Sequence, residues 1–231
     1  MKAQRLRVRY RVLGEAASLT HRELMGLWEQ AARGAGLALA YSDARRPAPQ
    51  VSVAAPLPVG VTSDCELADL FLAERVEPRD AVARLAGALP PGIEPIAAWE
   101  VGLAAPSLQS QVRWAEYEAE VPPEGLRLNE VRKRIEALLA AETFPWEHRR
   151  ETKVRRYDLR PLVLGLRAQQ KGGGPFLFTL RLRAGQEMTA RADQVVAALG
   201  LPAPLRIHRC RLYVEETQPA VAAFRRAGEP D

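Results

Sequence analysis

Apolar and polar residues alternate strictly between Arg5 and Val12, with Leu6, Val8, Tyr10 and Val12 on one face and Arg5, Arg7, Arg9 and Arg11 on the other. A period of two marks a strand with one buried face. Thr20-His21-Arg22-Glu23 follows, with Thr20 placed as N-cap and Glu23 at the spacing of a capping box. The helix it opens turns Leu24, Leu27, Trp28 and Ala31 inward and ends near Gly34 and Gly36. Extended stretches are predicted at 37–42 and 50–55, either side of a loop rich in Pro and Arg at 43–49, and again at 65–73. Pro78 opens a second helix over 78–89 with Val82 and Leu85 inward, Pro90-Pro91-Gly92 stops it, and 93–103 reads as a strand.

The rest of the chain repeats this order. A strand at 112–121 precedes a helix at 128–141 with Asn129 as N-cap; extended chain at 149–168 leads to a turn at Gly172–Pro175. A strand at 176–183, a helix at 190–199 stopped by Gly200 and a strand at 205–214 complete the pattern. Two copies of one order predict an α+β fold of duplicated ferredoxin-like units, each an antiparallel sheet with helices on one face. The expected units are 1–106 and a basic 107–217, meeting near 104–112, with 218–231 as a frayed tail. Leu6, Val8, Tyr10, Leu24, Trp28, Val82 and Leu85 are expected in the first core, and Phe176, Phe178, Leu180, Val195, Val196 and Leu199 in the second.

Composition narrows the classes. With 47% hydrophobic and 26% charged residues in 231, the chain reads as globular, which excludes wholesale disorder and a fibrous repeat. No run approaches the roughly 20 apolar residues of a membrane span. The charged start Met1-Lys2-Ala3-Gln4-Arg5 lacks a signal-peptide core, so a cytoplasmic protein with no membrane partner is expected. Cys65 and Cys210 belong to no CxxC or Cys/His cluster, so neither a metal site nor a cofactor is expected in this chain. Residues 1–120 carry 13 basic against 15 acidic side chains, and 121–231 carry 20 against 13. Such asymmetry hints at a polyanionic partner. Only four of the basic residues are Lys, and that preference for Arg is equally what a GC-rich genome produces.

Helices on one side of each sheet leave the other side open. In the first strand that face carries Arg5, Arg7, Arg9 and Arg11; in 176–183 it carries Thr179, Arg181 and Arg183. Guanidinium forks suit phosphate, and basic sheets bind single-stranded RNA. The plainer reading is a solvated face whose charges pair with acids on neighbouring strands. The aromatic pair on which RNA-binding sheets stack bases is missing from these positions. The densest basic tract, Arg149, Arg150, Lys153, Arg155, Arg156 and Arg160, is interleaved with Trp146 and Tyr157 and fits either a phosphate grip or a charge-protected edge strand. Read as one extended segment, it sets Arg149, Lys153 and Arg155 against Arg150, Arg156 and Arg160, one set lining a groove that faces the first unit. His21, in the first helical turn, is the weak catalytic candidate, with Tyr41 beside it and Thr20, Ser42, Arg45 and Arg46 completing a possible cleft.

The succession of Arg5–Tyr10, Leu19–Met25, Ala35–Ser42 and Pro56–Val61 resembles the radical SAM-linked domain family, bacterial domains of unknown function fused to or encoded beside cobalamin-type radical SAM proteins. The likeness continues through Leu89–Ile93, Tyr157–Pro161, Arg191–Val196 and Arg209–Tyr213. Where that family reads Ser-His-Leu-Asp this chain has Thr20-His21-Arg22-Glu23, and its Gly-Phe-Asn-Pro-His-Pro loop is replaced by Asp43–Gln50. The CxxxCxxC cluster motif is missing, so the resemblance implies that radical chemistry belongs to a partner. It implies an accessory module, itself not catalytic, that binds RNA or a ribosome-related substrate or presents it to a radical SAM protein. The alternatives are a module that docks such an enzyme without nucleic acid, and a metal-independent RNA-processing enzyme using His21.

Overall fold

The computed structural model describes residues 2–150, 153–185 and 188–215, so the tail at 218–231 lies outside the described residues. The protein is α+β, dominated by one large, mostly antiparallel sheet. The first half runs β1 (Gln4–Val12), α1 (His21–Gly34), β2 (Val51–Val53), β3 (Val61–Leu72), α2 (Pro78–Ala88) and β4 (Ile93–Val101). The second runs β5 (Val112–Val121), α4 (Leu128–Ala140), a hairpin of β6 (Pro145–Arg150) and β7 (Lys153–Asp158), β8 (Val163–Gln170), β9 (Phe176–Arg183), α5 (Ala192–Ala198) and β10 (Arg206–Val214), with the short α3 (Leu108–Gln111) in the connector between the halves.

Strand order is β4-β1-β3-β10-β5-β9-β8, with β2 on β3. Within each half every pairing is antiparallel; the halves join through a parallel pairing of β10 with β3 limited to Ile207–Arg209 against Val61–Ser63. β2 pairs with the other end of the same edge, Ala68–Leu70. The alternation in β1 behaves as its periodicity predicts, with Leu6, Val8 and Tyr10 fully buried under α1 and α2. Thr20 Oγ1 accepts from the Glu23 backbone and the Glu23 carboxylate accepts from Thr20 N, closing the capping box. The second core gathers Phe176, Phe178, Leu180, Val195, Val196 and Leu199 with Val131, Ile135 and Leu138 of α4.

Several expectations shift. Residues 37–42 make isolated bridges, Leu39 to Leu72 and Tyr41 to Pro49, and form no strand. Val82 is half-buried, and Ala81 faces the core with Leu85. Helix α4 is capped at Arg127, whose backbone N–H donates to Glu130, two residues before the expected Asn129. The tract at 149–168 is not one extended segment: the hairpin turns back on itself, and a 3-10 turn at Arg160–Leu162 separates it from β8.

Two charged networks lie within the sheet. On the face away from the helices, Asp69 binds Arg5 (2.7 Å) and Arg7 (2.8 Å), all three buried. Arg5 also donates to the carbonyls of Ala105 and Pro106, and Arg7 to Gln111 Oε1, tying the connector over this part of the sheet. At the junction of the halves, Arg209 binds Glu66 at 2.9 Å and donates to Tyr117 Oη and to the carbonyls of Ala55 and Pro56. Burial pulls the Arg209 guanidinium pKa down, and the Glu66 carboxylate, with Tyr117 and Cys65 beside it, together more than reverse this and raise it above its ordinary value.

Candidate nucleic-acid interface

The open face of the sheet begins where the connector ends. Arg5 and Arg7, expected there, are instead buried against Asp69 and cannot reach phosphate; alternation put them opposite the helices but did not show that residues 105–111 cover that side. Arg9 and Arg11 are exposed, and Arg11 pairs with Asp64 and Glu94. In the second half, Arg181 and Arg183 are exposed as expected, and Arg183 donates to the Pro161 carbonyl. Thr179 is half-buried on the same face.

The open face also holds aromatics that the sequence reading did not find. Trp114 on β5 and Tyr213 on β10 stand opposite each other in register and stack with centroids 5.1 Å apart and planes 3° from parallel. The Arg181 guanidinium lies 4.7 Å from the Trp114 ring centre, and Tyr213 is 47% exposed. Periodicity points to the first strand and to 176–183 for such a pair, whereas it lies on two strands distant in sequence that pair only in the fold.

Beside it the sheet is concave. Where β3 and β10 part after Arg209, a wedge of about 340 Å³ opens between Cys65 and Leu67 on one side and Cys210, Arg211 and Tyr213 on the other. It adjoins a polar groove of about 720 Å³ whose walls include Arg9, Asp64, Glu118, Arg167 and His208. His208 is held on both ring nitrogens, by Thr62 Oγ1 at 2.8 Å and Asp64 Oδ2 at 3.1 Å. Burial pushes the Cys65 thiol up to about 12 and the Cys210 thiol up to about 11, so both stay protonated at neutral pH. Neighbouring strands pair part of the charge, Arg181 and Arg211 with Glu116 and Arg206 with Glu120, as the plainer reading anticipates.

The remaining candidates are dispersed. The hairpin register places Arg150 opposite Lys153 and His148 opposite Arg155, so the expected division into two sets does not hold; the side chains of Arg149, Arg150 and Lys153 lie outside the described residues. Arg155 sits 5.7 Å over the Tyr157 ring, Arg156 pairs with Glu147, and Arg160 donates to the Leu139 and Val163 carbonyls, a structural role apart from the hairpin. Trp146 Nε1 donates to Gln194 of α5, so the hairpin leans on the helical side rather than on the open face. His21 is exposed, with no hydrogen bond or ion pair among the described residues; Tyr41, Arg45 and Arg46 are exposed on a loop closed by Ser42 and Ala48, and Thr20 acts as cap alone. Among the described residues no cluster of three or more His, Cys, Asp or Glu could hold a metal, and no helix is long and apolar enough to cross a membrane.

Fold and site together define an α+β protein that presents a charged, aromatic sheet face. The chain belongs to DUF2344, described as an uncharacterized protein conserved in bacteria, whose family model matches residues 5–195. A chain of the crystal structure of a Cbf5-Nop10-Gar1 complex is similar in fold, with a TM-score of 0.51 at 12% identity over 91% of this chain. The alignment covers 50% of that chain, so this protein spans about half its length. No curated protein matches the sequence.

Proposed function

We propose that this is a cytoplasmic accessory module, itself not catalytic, that binds single-stranded RNA on the open sheet face and presents it to a radical SAM protein. The stacked Trp114–Tyr213 pair carries the RNA part. An exposed aromatic platform flanked by arginines is what unpaired bases and their phosphates require, and each stacked base contributes about 1 to 3 kcal/mol. The radical SAM partner rests on the sequence resemblance and on the missing cluster motif, which assigns radical chemistry to another chain. We infer further that the halves are two ferredoxin-like units divided near 104–112. Each places its first strand between its fourth and third, and its second strand outside the third.

The test is fluorescence anisotropy with a labelled single-stranded RNA. Tyr213→Ala should weaken binding roughly tenfold or more at every salt concentration. Arg181→Ala should also flatten the salt dependence by about one unit of slope. Wild-type affinity unchanged in both variants overturns the interface.

A further inference from the structure

The charges on the open face fall into two groups. One group is neutralised across neighbouring strands, Arg206 with Glu120 and both Arg181 and Arg211 with Glu116, and of these Arg206, Arg211 and Glu116 also line the groove. The other group, the exposed groove side chains of Arg9, Arg167 and Glu118, makes no side-chain hydrogen bond or ion pair among the described residues. They stand on β1, β8 and β5, strands that are not neighbours, so the cross-strand pairing that neutralises the other charges does not reach them. The groove therefore offers two cations without a protein acceptor and one carboxylate without a protein donor, beside the aromatic wall of the adjoining wedge.

We propose that this groove is a nucleotide subsite selective for bases that carry an exocyclic amino group. This deepens the RNA reading given above and rests on it. The ligand that completes the groove must be anionic at one end and donate hydrogen bonds at the other. A nucleotide within a strand does both: phosphates on its two sides meet Arg9 and Arg167, and an amino group on its base donates to the Glu118 carboxylate that lies between them. Cytosine has that amino group at the position where uracil has a carbonyl oxygen, and a carboxylate accepts from the first and repels the second.

The experiment compares oligocytidylate with oligouridylate of equal length by anisotropy at fixed salt, on the whole chain. Oligocytidylate should bind roughly tenfold more tightly, the discrimination one good base contact gives. Glu118→Gln, an uncharged near-isostere at an exposed position, should bring the ratio close to one, because an amide both accepts and donates. Tyr213→Ala should weaken both oligomers and leave their ratio unchanged. Equal affinity of wild type for the two, or a ratio unmoved by Glu118→Gln, overturns the subsite while the RNA interface stands. Failure of both oligomers to bind overturns the interface and the subsite together.

Discussion

Asp69 is the residue on which the covered part of the sheet depends. It neutralises two buried guanidinium groups, of which Arg5 holds the connector carbonyls of residues 105 and 106 and Arg7 holds the side chain of Gln111. Removing one partner from a buried ionic cluster costs about 3 to 5 kcal/mol, because the remaining charge is stranded without solvent. Asp69→Asn is therefore expected to lower the urea unfolding free energy by that order. A loss below about 1 kcal/mol would show that the arginines are solvated after all. The cluster also marks a limit of sequence reading. Arg5, Arg7, Arg9 and Arg11 are equivalent by periodicity, yet the first two are interior and the last two exposed, a difference made by a connector a hundred residues away.

Among the elements, the β6–β7 hairpin stands apart from the large sheet. Its strands pair only with each other, and Trp146 anchors it to α5 through the 3.0 Å bond to Gln194. At that helix burial pushes the Asp193 pKa up, and hydrogen bonds from Arg191 and Gln194 more than offset this, so it stays an anion. Trp146→Phe keeps the packing and deletes the bond. Amide exchange should then quicken across 145–158 while β5 and β9 keep their protection; uniform quickening would mean the hairpin is integral to the sheet. The strands and helices themselves were legible wherever a local period or cap fixed them, as in β1, β9 and α1. The hairpin was not, because the sequence between its strands offers no Gly or Asn-Gly signal and its charges alternate no differently from those of an edge strand. Trp114 and Tyr213 were invisible for a different reason: stacking between distant strands is set by register, which sequence period alone does not supply.

Across the whole molecule the junction of the halves is polar, and on the side facing the helices it is buried. Tyr10, Cys65, Glu66 and Arg209 lie together there, and burial raises both the Tyr10 and Cys65 pKa values. Cys65 titrates near 9.0 when unfolded and near 12 when folded, so its share of stability is intact below pH 9 and is lost as pH rises toward 12. Tyr10, also raised, acts in the same direction. The melting temperature should be level from pH 7 to 9 and fall steadily above, less steeply in Cys65→Ala. A variant as steep as wild type would assign the alkaline loss elsewhere.

One edge of β3 is shared end to end by β2 and β10, and its twelve residues must serve both. Either strand can lengthen only into the short stretch left between them, and that unpaired length is where the sheet gapes. The short β2 is thus the counterpart of the seam. A chain variant with a longer β2 would push β10 off, closing the wedge from one side while prising the two halves apart from the other.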